Sequence, residues 1–248
     1  MKVGVIGGGV GGLAAAYELA KLGHDVALYE RDSFLGGLSS TFDLNGGRLE
    51  RFYHHMFLSD GTLIGLLHEL GLSDRIIWND SNAGFFYQGK AYPFSTPVDL
   101  LRFTPVSFID RVRLGLVTLY LQRVKNWRKF EGTTAASFMR KWMGRRNYEV
   151  IWGPMLKGKF GVYHDQIGMS WLWSKFATRV ASRDRTLKEK LGYIQGSWGV
   201  LIDALERRIG EMGGEVHTGT SVKRILTEGG KVTGLVIEEP EGQQSERS

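Results

Sequence analysis

The chain has 248 residues, 42% of them hydrophobic, which is enough to bury one large core or two modest ones. It contains no cysteine, which excludes a disulfide framework, a thiolate metal site and a redox-active CxxC pair. The formal net charge of +6 is carried unevenly: residues 102–190 hold 19 Lys+Arg against 6 Asp+Glu, a balance of +13, and the remainder stands at −7.

Lys2-Val3-Gly4-Val5-Ile6 is a short apolar run that reads as a buried strand. It passes without a spacer into Gly7-Gly8-Gly9-Val10-Gly11-Gly12, then into Leu13–Leu22, rich in strong helix formers, with Gly23 placed to end the helix. Asp25–Tyr29 is a second strand, closed by Glu30. Strand, glycine turn, helix, strand and acid stand in the order a dinucleotide needs, and predict an α/β, Rossmann-like domain. Gly7 permits the tight turn, Gly9 lets backbone approach a pyrophosphate, and Gly12 lets the helix pack close on the sheet. The pyrophosphate then meets unpaired N–H groups at the positive end of the helix dipole. Glu30, 18 residues after Gly12, is placed to accept hydrogen bonds from ribose hydroxyls.

Beyond Glu30, Arg31-Asp32-Ser33-Phe34-Leu35-Gly36-Gly37-Leu38-Ser39-Ser40-Thr41 carries a second glycine pair followed by small hydroxyl residues. This arrangement resembles the FAD-dependent amine oxidase superfamily, with its protoporphyrinogen oxidase-like and phytoene desaturase-like members. The resemblance implies FAD rather than NAD. It implies a binding set of Gly7, Gly9, Val10, Gly11, Gly12, Glu30, Arg31, Gly36, Gly37, Leu38, Ser39, His54 and Val222. That family usually has Arg after the glycine pair; here Leu38 removes one expected charge beside the phosphates.

Further along, Thr41–Glu50 reads as a hairpin with Asn45-Gly46 as a type I′ turn. Arg51-Phe52-Tyr53-His54-His55-Met56-Phe57 corresponds to a family stretch that runs beside the flavin, where Glu50 and His54 stand in for parts of the pattern. Read as a strand, it turns His54 and His55 to opposite faces, so at most one faces a cofactor. No third ligand stands nearby, which argues against a metal. Thr62–Leu70 has helical periodicity and stops at Gly71, and Ile76–Phe94 reads as β-structure around a turn at residues 87–90.

From Pro97 to about Lys190 the pattern is helical, with its longest run over Ser107–Lys129, and Thr133 or Thr134 is a candidate N-cap for Ala135–Met143. Its aromatics, among them Trp127, Phe130, Phe138, Trp142, Trp152, Trp171 and Trp173, suit core packing and an apolar substrate channel equally. Trp152-Gly153-Pro154 to Gly161 and Ile167–Ser170 resemble protoporphyrinogen oxidase-like segments. Tyr193–Leu205 is similar to the glycine-rich lead-in to the helix that returns the family's chain to the cofactor domain. Glu215–Ile225 is strand, turn, strand, and in the family the backbone of the valine at the Val222 position touches the adenine.

The expected organisation is therefore a Rossmann-like FAD-binding domain over residues 1–85 and 190–240, with an inserted, mainly helical substrate domain over 86–189. Residues 241–248 read as a disordered polar tail. The family usually continues past this length with a C-terminal half that closes the flavin pocket, so the sequence reads as a truncated portion, a split protein completed by a second chain, or a fragment with exposed apolar surface. Three functions stay open: a flavin oxidoreductase taking hydride from an organic substrate, a redox-neutral flavin mutase resembling UDP-galactopyranose mutase, and a non-catalytic FAD-binding half. The basic middle segment suits an anionic counterpart, either a peripheral membrane surface or an anionic substrate, while its aromatics suit a lipophilic one. No nucleic-acid-binding motif accompanies the charge. With no room for a signal peptide before the first strand and no long apolar run, the expected location is cytoplasmic or membrane-peripheral. No catalytic residue is fixed by spacing.

Overall fold

The computed structural model describes residues 1–182, 189–239 and 242–247. It divides into two compact units: Met1–His55 with Gly61–Ile77 and Tyr193–Ser248, and Met56–Asp60 with Trp78–Gly192.

The first unit is built on strand β1 (Lys2–Ile6), helix α1 (Val10–Lys21) and strand β2 (Asp25–Tyr29). β1 and β2 pair in parallel, Lys2 opposite Asp25 and Ile6 opposite Tyr29, and Glu215–His217 adds a third parallel strand on the far side of β2. Parallel neighbours require a crossover, and α1 supplies it. Its buried residues are Leu13, Ala16, Tyr17 and Ala20, the i, i+3, i+4, i+7 stripe of an amphipathic helix. That stripe packs against helix Gly199–Glu211, which buries Leu201, Ile202, Leu205 and Ile209. α1 starts at Val10, inside the glycine cluster, three residues earlier than its helix-forming composition indicates. Gly23 follows its end at φ +77°.

The hairpin Thr41–Leu44 and Gly47–Glu50 turns through Asn45 and Gly46, at φ 49° and 81°, as a type I′ turn requires. Two expectations are corrected here. His54 and His55 lie in irregular backbone before the short strand Met56–Phe57, so strand alternation does not set their directions. The C-terminal stretch is not a wholly disordered tail: Gln244–Arg247 pairs antiparallel with Lys231–Glu238, Gln244 opposite Glu238 and Arg247 opposite Leu235. The turn closes by Gly242 N–H to the Glu239 carbonyl at 2.9 Å, and the polar composition there is that of an edge strand facing water. Residues 241 and 248 of that tail, residue 240 before it, and 183–188 of the helical block lie outside the described residues.

The second unit carries the hairpin Gly84–Tyr87 and Lys90–Pro93 and the helices Pro97–Arg102, Phe108–Arg123 and Met169–Ala181. Thr96 and Ser107 cap the first two helices by accepting from the N–H groups of Asp99 and Asp110, both at 3.1 Å. Thr134 caps Ala135–Phe138, accepting from the Ser137 N–H at 3.2 Å. That helix then widens into a π-helical segment, Met139–Met143, and a second, Tyr148–Trp152, follows the short turn Arg145–Asn147. Fully buried Asn147 pins the junction, its Nδ2 donating to the carbonyls of Met143 at 2.7 Å and Asp110 at 2.8 Å. Phe130 and Phe138 are core residues, Trp152, Trp171 and Trp173 pack against the core, and Trp127, Trp142 and Tyr163 are exposed.

Candidate cofactor site

The site begins where β1 ends. Gly7 has φ +102°, a conformation open to glycine and costly for other residues, and its N–H donates to the Tyr29 carbonyl at 2.8 Å. The chain thereby turns off the sheet edge and straight into α1, whose N-cap is Gly9. No side chain caps this helix and no acid lies in its first turn, so the N–H groups of its first turn and the dipole end are left for an anion. A Cβ placed on Gly9 or Gly11 would meet nothing within 4 Å. On Gly12 it would lie 1.9 Å from the Gly7 carbonyl oxygen, so only glycine allows α1 to sit this close to the turn.

The second glycine pair comes to the first. Gly9 and Gly36 form a parallel bridge, and the Gly36 N–H donates to the Gly8 carbonyl at 2.8 Å. Gly36, at φ +102°, presses against Ile202, and a Cβ on Gly37 would reach the Gly9 Cα at 3.3 Å. Two loops 27 residues apart in sequence thus form one backbone cradle without side chains at its points of contact.

Glu30 closes the floor. The residue is 9% exposed, and its carboxylate accepts from the Gly8 N–H at 2.6 Å and the Asp32 N–H at 2.9 Å. These two bonds leave lone pairs on both oxygens for further donors. The backbone of Glu30 is tied on both sides, its N–H to the His217 carbonyl and its own carbonyl to the Thr220 N–H, each at 2.8 Å. His217 stacks on Tyr29 at 5.1 Å, with the rings 15° from parallel. Val222 therefore stands two residues beyond a tether to Glu30, paired with Ile237 just before a bulge in the strand Ser221–Glu228.

Ser39 and His54 meet. His54 Nδ1–H donates to the Phe52 carbonyl at 2.7 Å, and its Nε2 faces the buried Ser39 hydroxyl at 3.4 Å. The imidazole also lies 5.5 Å from the Trp198 ring. Arg31 and Leu38 do not join this set: Arg31 is exposed beside Asp32 at 3.9 Å, and Leu38 is 68% exposed. Among the described residues no three His, Asp or Glu side chains are grouped to hold a metal.

Sequence reasoning missed a brace behind the cradle. Buried Glu50 accepts from the Tyr193 hydroxyl at 2.7 and 2.9 Å and from the Trp198 N–H at 2.7 Å. Burial first, and then the hydrogen bond and charge of Glu50, push the Tyr193 phenol up to about 12. Two residues earlier on the same strand, Arg48 pairs with Asp203 and lies across Gly199, where a Cβ would stand 2.5 Å from the guanidinium carbon. The signals were present as an acid ending a strand and a Gly-Ser-Trp-Gly run, but their pairing spans 148 residues and no local rule links them.

Cradle, acid and order of elements meet in the comparisons with known proteins. The model of the family described as flavin containing amine oxidoreductase matches residues 10–244. The chain belongs to that family. It is 35% identical over 144 residues to a probable zeta-carotene desaturase of Synechococcus elongatus, covering 53% of this chain and 30% of that protein. It is 25% identical over 256 residues to the zeta-carotene desaturase of Zea mays, covering 92% of this chain and 44% of that one. An oxidoreductase of known structure from Methanosarcina mazei superposes over 100% of this chain and 57% of its own, with a TM-score of 0.72 at 21% identity. The fold is therefore that of the family's N-terminal, flavin-binding portion, and the chain spans about half the length, or less, of the relatives it matches.

Proposed function

We propose that the first unit holds FAD and that the chain is the cofactor-binding portion of an oxidoreductase removing hydride from an organic substrate. The observation that carries this reading is the cradle in which Gly9 and Gly36 bridge beneath an uncapped helix start, with open space over Gly9 and Glu30 alongside. Donors for a diphosphate and an acceptor for ribose hydroxyls are both present, so the residues fit the dinucleotide. The second glycine pair packed on the first favours FAD over a nicotinamide cofactor.

When bound, the flavin supplies a two-electron acceptor. The N–H groups opening α1 hold the diphosphate, with Gly9 giving the close approach. The free lone pairs of Glu30 accept from the adenosine ribose. Backbone at Val222 would border the adenine, and Gly37, Ser39 and the Nε2 face of His54 would line the route toward the rest of the cofactor. The second unit is assigned the substrate. Its desaturase relatives act, by their names, on zeta-carotene, which supports a lipophilic substrate. A second reading, a redox-neutral mutase for an anionic sugar nucleotide, rests on the +13 balance of residues 102–190.

The test is an absorbance scan of the purified chain with added FAD, followed by gel filtration. Flavin bands that elute with the protein support the assignment; a colourless protein that takes up neither FAD nor ADP sinks it. Anaerobic bleaching by substrate then separates the readings, since the oxidoreductase ends with reduced flavin and the mutase does not.

A further inference from the structure

We propose that Glu50 and Trp198 are positioning residues that set the His54 imidazole against the glycine cradle. The proposal rests on the reading of the cradle as a flavin site and deepens it by naming what orients one of the groups assigned to its lining.

His54 needs support from outside its own segment. It lies in irregular backbone, and the two residues leading to it, Phe52 and Tyr53, are 58% and 75% exposed. One local bond, from Nδ1–H to the Phe52 carbonyl at 2.7 Å, fixes a single edge of the ring. A ring held at one edge is still free to swing about it. Its face is set by Trp198, whose ring lies 5.5 Å away and is tilted by 54°. With both contacts made, Nε2 faces the hydroxyl of Ser39 at 3.4 Å, two residues beyond Gly37 of the cradle.

Trp198 in turn is gripped by the strand Gly47–Glu50. Its backbone N–H donates to Glu50 at 2.7 Å, and the Tyr193 hydroxyl donates to the same carboxylate at 2.7 and 2.9 Å. Arg48, two residues before Glu50, lies across Gly199. The strand thus holds the turn on both sides of Trp198, at Tyr193 and at Gly199. That turn is strained, since buried Ser197 has φ 84°. A residue with a Cβ keeps such a backbone only where its surroundings over-determine it, and strain of this kind gathers at functional sites. The Trp198 indole N–H is buried and has no acceptor among the described residues. Buried donors usually find a partner, so packing rather than hydrogen bonding places this ring, and His54 is the side chain it meets ring to ring. Glu50 stands four residues before His54, so one short stretch carries both the grip and the group it positions.

The experiment is nuclear magnetic resonance of the full chain with labelled histidine and tryptophan, followed by FAD titration of the same variants. The wild type should show a cross-peak between the His54 and Trp198 rings. Glu50→Ala should lose it, and Glu50→Gln, which keeps an acceptor for the Trp198 N–H, should retain it. If Glu50→Ala does not fold, Trp198→Leu replaces it, since it breaks no side-chain hydrogen bond, and it should shift the His54 ring signals. In the flavin-loaded chain, His54→Asn removes Nε2 and should shift the visible flavin band. Glu50→Ala or Trp198→Leu should shift the band in the same direction, while Glu50→Gln leaves it in place. Either variant combined with His54→Asn should move it no further than His54→Asn alone, because the effect passes through that ring. A cross-peak that survives in folded Glu50→Ala, or band shifts that add in the double variant, overturns the proposal. A wild type that takes up no FAD defeats the flavin reading, whereas a cross-peak lost in Glu50→Ala and kept in Glu50→Gln still supports the brace. A wild type without the cross-peak defeats the brace whatever FAD does.

Discussion

The glycine turns of the first forty residues and the helical region of residues 97–182 work with opposite parts of the chain. In the turns, contact is made by backbone, and what matters is the absence of a side chain: Gly12 against the Gly7 carbonyl, Gly37 against Gly9, Gly36 against Ile202. In the helices, contact is made by side chains, with Phe103, Leu114, Phe130, Met139 and Leu156 closing a core. A backbone site tolerates no added atom where it packs and accepts one freely where it faces open space. A side-chain core responds in proportion to what is removed. Substitutions can therefore separate the two regions.

The largest effect is expected at Gly12. A valine there puts Cβ 1.9 Å from a backbone oxygen, so either α1 or the turn must move. Gly12→Val should cost more than about 3 kcal/mol, seen as loss of the cooperative melting transition. Gly9→Val sharpens the comparison. Gly9 has φ −68° and open space around its Cβ, so the variant should fold with an unchanged melting temperature while its FAD affinity falls beyond detection. A folded Gly9→Val that keeps wild-type affinity removes the cradle assignment. Asn147→Ala probes the other region. It strips the donor from the buried Met143 carbonyl and the part-buried Asp110 carbonyl and should cost about 2–3 kcal/mol, detected as faster hydrogen exchange around residues 110 and 143. Glu30→Gln is smaller in its effect on binding. It keeps the shape and removes the charge, so FAD affinity should fall by about 1–3 kcal/mol, read by fluorescence titration.

How far each region was legible in the sequence follows from the same contrast. Gly7, Gly9, Gly12 and Glu30 lie within one local unit, and their spacing carries their roles because backbone geometry repeats wherever a dinucleotide is bound. The type I′ turn at Asn45-Gly46 and the Thr134 cap were readable for a similar reason, since each is a short-range rule. The histidine pair misled because alternation presupposes a strand, and the backbone there is irregular. The end of the chain misled because Gln244–Arg247 is polar like a disordered tail, and its order comes from pairing with Lys231–Glu238. Which face of Phe108–Arg123 is buried was not legible at all, because the helix is apolar around most of its circumference. The Glu50 brace was invisible for want of any local signature.

That brace carries the smallest predicted effect and the one most specific to this structure. Tyr193 is held protonated in the folded chain, with its pKa raised from 10.0 to about 12 by burial and by Glu50. A group whose pKa is raised on folding adds stability in full below its unfolded pKa and loses it as pH climbs to the folded one. Tyr193 therefore stabilises the fold up to about pH 10 and gives up that contribution between pH 10 and 12. In an ultraviolet titration Tyr193 should ionise late, assigned against Tyr193→Phe because burial also raises Tyr17 and Tyr29, and Glu50→Gln should bring it back toward 10.0 while leaving part of the shift that burial alone produces. Because Glu50 also accepts the Trp198 N–H, the variant keeps an acceptor there and should melt close to the wild type at neutral pH. If the late tyrosine stays unmoved in Glu50→Gln, burial alone sets its pKa, and the link from the hairpin strand to the Gly196–Gly199 turn is a contact without electrostatic consequence.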